Sequence, residues 1–115
     1  MDSNTFITNK LKDLQKPFYL CVSGNSMAPK INSGDRILVM PIIKKPLNIG
    51  DIIVYHKFQE HLTVHRILNI VKLSETRFYC ETKGDNNLEI DPYKVLSHEI
   101  IGVVDYERTN ENELD

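Results

Sequence analysis

Ser26 stands in Ser23-Gly24-Asn25-Ser26-Met27-Ala28-Pro29, a stretch of small and polar residues directly after the apolar run 18–22. A hydroxyl there is sterically open. A neighbouring glycine leaves backbone N–H groups free to face a developing oxyanion. The same residue types also build ordinary turns, so this segment alone decides nothing. Two later segments supply what a serine nucleophile lacks. Thr63-Val64-His65-Arg66-Ile67 sets an imidazole in a β-branched run, and Lys83-Gly84-Asp85-Asn86-Asn87 is followed by Asp91. A serine needs a base to take its proton, and an imidazole, which ordinarily titrates near neutral pH, suits that task. A carboxylate then fixes the ring's tautomer and stabilises its charged form. The chain order Ser, His, Asp is no obstacle, because geometry defines such a triad. The candidates are Ser26 as nucleophile, His65 as base, and Asp85 or Asp91 as orienting acid. Asp91 is favoured as the direct partner, with Asp85 supporting its loop and Arg66 able to orient either aspartate by a bidentate contact.

Other combinations carry less. His56, His61 and His65 invite a zinc reading, but strand residues alternate faces, so His56 and His65 do not converge on one ion. Lys83 adjoins Gly84 in a turn, which is a poor place for a catalytic lysine. Cys21 and Cys80 form no CxxC pair and read as reduced core residues. No metal and no cofactor is expected.

The elements that must position these residues are mostly strands. Runs 18–22, 36–40, 51–56, 62–71, 78–82 and 100–105 are apolar or β-branched and are separated by Gly, Pro, Asn and Asp. No long helix intervenes, so the expectation is a mostly-β sheet or partly closed barrel. A short helix is expected over residues 4–16, with Ser3 as cap, Phe6, Ile7, Leu11 and Leu14 on one face, and Pro17 ending it. This divides the chain into a helical segment 1–17, a domain 18–106 and an acidic tail 107–115.

The composition agrees with one folded domain: 115 residues, 41% hydrophobic and 26% charged. A net charge of −2 argues against binding nucleic acid by neutralising phosphates. The longest apolar run, residues 37–43, is far short of the ~20 residues that cross a bilayer. Residues 1–16 have no apolar signal core. No integral membrane span is expected, and the expected location is the cytoplasm.

The ordered boxes S-G-N-S-M-A-P…I-x-x-G-D, G-D-I-I-V-Y, V-H-R-I and T-K-G-D-N-N…D resemble the signal peptidase-like serine peptidases, which comprise type I signal peptidases and self-cleaving repressor domains. The resemblance covers roughly residues 18–105. It implies that family's β-barrel or coiled sheet, with Ser26 as nucleophile, His65 as base and Asp85 or Asp91 as acid. A histidine at position 65 resembles the endoplasmic-reticulum and sporulation-type branch. The spacing S-G-N-S-M, by contrast, is closer to the repressor-type pattern. The resemblance also implies an oxyanion hole from the backbone N–H groups of Asn25 and Ser26, with Gly24 and Ser23 beside them. It further implies a peptide or precursor protein bound as an extended strand beside residues 19–22, near Met27 and Pro29, and cut after a small residue. No membrane anchor is expected, and that expectation separates the chain from membrane-bound signal peptidases. A self-cleaving regulator would need a DNA-binding domain and an internal scissile bond such as Ala-Gly, and no Ala-Gly occurs, Ala28 being the sole alanine. The expected function is a serine endopeptidase that matures a peptide or precursor. The alternative is a catalytically inactive peptide-binding module on the same fold.

Overall fold

β-branched and aromatic residues fit a pleated surface whose two faces are covered, and seven runs of them form strands here. The structure is a computed structural model that describes residues 16–43, 46–58 and 61–106. The strands are β1 (Phe18–Cys21), β2 (Arg36–Met40), β3 (Ile52–Phe58), β4 (His61–Lys72), β5 (Phe78–Lys83), β6 (Val95–Leu96) and β7 (Ile100–Val104). They pair into one sheet in the order β1-β2-β7-β3-β4-β5-β6, and every pairing is antiparallel. A 3-10 turn at Ser97–Glu99 leads into β7.

β3 lies at the middle of that order, and its side chains show why. Ile52 and Val54 join one buried cluster, with Met27, Ile31, Ile37, Val39, Ile101 and Val104. Ile53 and Tyr55 point the other way into a second, with Ile67, Cys80, Val95, Ile100 and Val103. Both faces of the strand are therefore dry, which explains a continuous apolar run instead of the alternation of a one-sided sheet. The turn after β1 contributes Met27 and Ile31 to the first cluster, so the segment carrying Ser26 is anchored in the core at Met27, its next residue.

Four expectations need correction or fall outside the described residues. Among the described residues the sheet is open and no barrel closes, because β1 pairs only with β2 and β6 only with β5. β6 offers two residues, too few for a closing ladder. Cys21 is not a core residue: the edge strand β1 alternates, and Cys21 falls on its exposed side, whereas Cys80 is buried and burial pushes its thiol up to about 11. The helix expected over residues 4–16 lies outside the described residues except for Lys16, and so does the tail from 107 onward. Among the described residues, no helix is long and apolar enough to cross a membrane.

Candidate active site

β4 is the element that brings chemistry to the sheet. His65 pairs with Ile53 of β3, so its ring rises on the face of the second cluster, and the residue is only 7% exposed. Ser26 comes from the turn between β1 and β2, and its Oγ lies 3.2 Å from His65 Nε2. Asp91, from the loop between β5 and β6, lies on the opposite side of the ring. Its Oδ2 is 2.6 Å from His65 Nδ1. An ionised carboxylate can only accept, so Nδ1 carries the proton and donates to Asp91. In the neutral ring Nε2 is then the acceptor, and the Ser26 hydroxyl donates to it. The hydrogen bonds therefore run from Ser26 through His65 to Asp91.

Asp91 has further neighbours. The Thr82 hydroxyl donates to the same Oδ2 at 2.7 Å, and the Asp91 N–H donates to the Thr82 carbonyl at 2.8 Å. Tyr55 O–H approaches Oδ2 at 3.4 Å and lies 2.7 Å from the Tyr93 hydroxyl. Burial, reinforced by the Tyr93 contact, pushes the Tyr55 phenol far above its ordinary range, and burial raises Tyr93 as well. Both phenols stay protonated at any working pH.

Asp85 is placed elsewhere. Arg66 Nε and a terminal guanidinium nitrogen donate to its two oxygens at 2.8 and 2.7 Å, while the other terminal nitrogen holds the Gly50 carbonyl at 2.7 Å. Asp85 thus ties the end of β5 to β4 and to the turn before β3, and does not meet His65. The guanidinium fork holds its carboxyl below the usual carboxylate range, and reciprocally raises Arg66. A carboxylate depressed in the folded state stabilises the fold above its ordinary value near 4, and that stability is lost as pH falls through the lower folded value. An Asp85→Asn protein is therefore expected to unfold at lower urea than wild type at pH 7. The gap should stay constant above about pH 5 and narrow progressively as pH falls below about 4. An equal gap at every pH would exclude this charge effect.

The turn itself is held from behind. The Ser26 carbonyl accepts the Asn86 N–H at 2.8 Å, Asn86 Nδ2 donates to the Asn25 carbonyl at 3.0 Å, and the Ala28 N–H donates to that same carbonyl at 3.1 Å. Gly24 takes φ +88°, a conformation side chains resist, and this turns the chain toward Ser26. Gly84 is needed for a different reason: a Cβ there would sit 2.7 Å from the Ser26 carbonyl oxygen and 2.7 Å from Asn87 Nδ2. Gly84→Ala must push the Ser26 turn away from β5. The expected cost is about tenfold in any Ser26-dependent rate, read against an unchanged rate as the contrary result. Met27 is 2% exposed under the turn yet lines the floor of the cleft onto which Ser26 opens, and its sulfur accepts the Asp85 N–H at 3.3 Å. Ser23, Gly24 and Asn25 are exposed.

Ser26 and His65 open onto a cleft of about 450 Å³ between the β1 edge and the β3–β4 hairpin. Leu20 and Val22 line one side, and Phe58, His61 and Leu62 the other, with Tyr93 against the Phe58 ring. His61 begins β4, is exposed, and stacks on Phe58 with centroids 5.8 Å apart. Thr82, Tyr55 and Tyr93 are the contributors that sequence reasoning missed. For Thr82 and Tyr55 the one local signal is a polar atom inside a strand run, and Tyr93, in the loop before β6, offers none.

No curated protein matches the chain. The family described as Peptidase S24-like matches over residues 2–105, which takes in every strand and all of the residues just described. With nearly its whole length so matched, the chain belongs to the Peptidase S24-like family.

Proposed function

We propose that this protein is a serine endopeptidase in which Ser26 is the nucleophile, His65 the base and Asp91 the group that orients His65. The observation that carries the reading is the alignment of three side chains from three separate segments: Ser26 Oγ 3.2 Å from His65 Nε2, and His65 Nδ1 2.6 Å from Asp91. As Ser26 Oγ bonds to a substrate carbonyl carbon, its proton passes to His65 Nε2. Asp91 stabilises the imidazolium that results. The carbonyl oxygen gains the negative charge, and the family resemblance assigns the backbone N–H groups of Ser26 and Asn25 to receive it. When the C–N bond breaks, His65 returns the proton to the leaving amine. Water then repeats the sequence and frees the acyl group from Ser26.

The substrate is a peptide or precursor protein lying as a strand in the cleft. Among the described residues β1 ends the sheet, and its outer edge offers backbone groups to such a segment. A small residue before the cut bond and a role in peptide maturation follow from the family resemblance. The exposed free thiol of Cys21 fits work in a reducing compartment such as the cytoplasm. A non-catalytic peptide-binding module would have no use for the Ser26–His65–Asp91 alignment. The test is covalent: a fluorophosphonate should phosphonylate Ser26, located by mass spectrometry of the digested protein. An intact Ser26 after prolonged treatment would sink the proposal.

A further inference from the structure

His65 and Thr82 are the two buried polar or charged residues among those described. The sheet brings them together: Thr82 on β5 pairs with Ile67 on β4, so it shares a face with His65, two residues before Ile67. Thr82 is 0% exposed, in the second apolar cluster's surroundings, where a hydroxyl without a partner is costly. Its partner is Asp91 Oδ2 at 2.7 Å, the same oxygen that accepts from His65.

We propose that Thr82 is a positioning residue for His65, acting through Asp91. The inference rests on the catalytic reading above. Thr82 grips Asp91 at two points, with its carbonyl accepting the Asp91 N–H and its hydroxyl donating to the carboxylate. The backbone contact fixes where the loop residue sits. The hydroxyl fixes how the carboxylate is turned about its own axis, because two donors at one oxygen leave it a single orientation. Without the hydroxyl, the carboxylate is free to rotate, and the ring that follows it loses its aim at Ser26. Tyr55 is a weaker candidate for this task, since its O–H stands at 3.4 Å from Oδ2 and has Tyr93 as a closer partner.

Two substitutions separate this role from packing. Thr82→Val keeps the shape and the backbone contact but deletes the hydroxyl, whereas Thr82→Ser keeps the hydroxyl and deletes a buried methyl. The Thr82→Val protein should be phosphonylated at Ser26 about tenfold more slowly than wild type. Thr82→Ser should stay within about twofold of wild type even though its melting midpoint falls. A Val variant as fast as wild type, or a Ser variant as slow as Val, overturns the inference. The His65 Nδ1 proton, observed by NMR, gives a reading that needs no catalysis. Its far-downfield resonance should persist in Thr82→Ser and shift or broaden in Thr82→Val, and an unmoved resonance in Val again overturns the inference. If wild type is never phosphonylated, the catalytic reading fails alone, and the resonance still decides whether Thr82 positions His65.

Discussion

The Ser26→Ala protein is expected to take up no phosphonyl group at this site and to cut peptides at least about 10⁴-fold more slowly than wild type. The substitution removes one oxygen and with it the bond to His65 Nε2 at 3.2 Å. It leaves the scaffold of the turn intact, because the contacts that hold the turn run through the Ser26 and Asn25 carbonyls and not through the hydroxyl. Ser26 is also only half-buried, so no large cavity forms in the core. The thermal midpoint should therefore stay close to wild type, and the loss of rate can be assigned to chemistry. The same protein separates two readings of the cleft. If the β1 edge holds substrate as a strand, Ser26→Ala should bind a peptide without consuming it, and its mixture with that peptide should remain uncut over hours. Cleavage at the wild-type rate would remove Ser26 from the mechanism altogether.

The sequence made the sheet legible because its strands are short apolar runs cut by turn residues. Six of the seven strands lie within a few residues of those runs. The seventh, Val95–Leu96, is two residues long and leaves no periodic trace. Closure was not legible either, since it depends on whether the last strand is long enough to reach the first. Ser26, His65 and the two aspartates stood out as candidates by residue type and order. What separates the two aspartates is a fold-level fact: the loop after β5 returns to Thr82 and presents Asp91 at His65, while Arg66 takes Asp85. Arg66 and His65 are adjacent on β4, so they point to opposite faces and collect different carboxylates. The alternation that sorts them is visible in the chain; the identity of each partner is not. Thr82 and Tyr55 escaped notice for the same reason, because each looks like an ordinary strand residue until the register of β3, β4 and β5 places it beside Asp91.

Asp91→Asn is expected to slow phosphonylation of Ser26 by about 10²- to 10⁴-fold. The Asp91 side chain is 9% exposed, and its Oδ2 receives both His65 Nδ1 and Thr82 Oγ1. An asparagine fills the same space but must choose between two poor arrangements. With its amide oxygen at the Oδ2 position, both donors keep an acceptor. No negative charge then remains to stabilise the imidazolium formed when Nε2 takes the serine proton. With its NH₂ group there, three donors face one another. The imidazole then gains by shifting its proton to Nε2, where it blocks the lone pair that Ser26 needs. Either arrangement lowers the rate of the proton transfer, and neither alters the walls of the cleft, to which Asp91 does not contribute. Peptide affinity should therefore change by less than about threefold while turnover collapses. Asp85→Asn is the matched comparison, since it removes an equal charge from the Arg66 fork, which does not touch His65. Its effect on the phosphonylation rate should be at least tenfold smaller than that of Asp91→Asn. If the two proteins were ranked the other way, the orienting role proposed for Asp91 on its 2.6 Å contact with His65 would pass to Asp85.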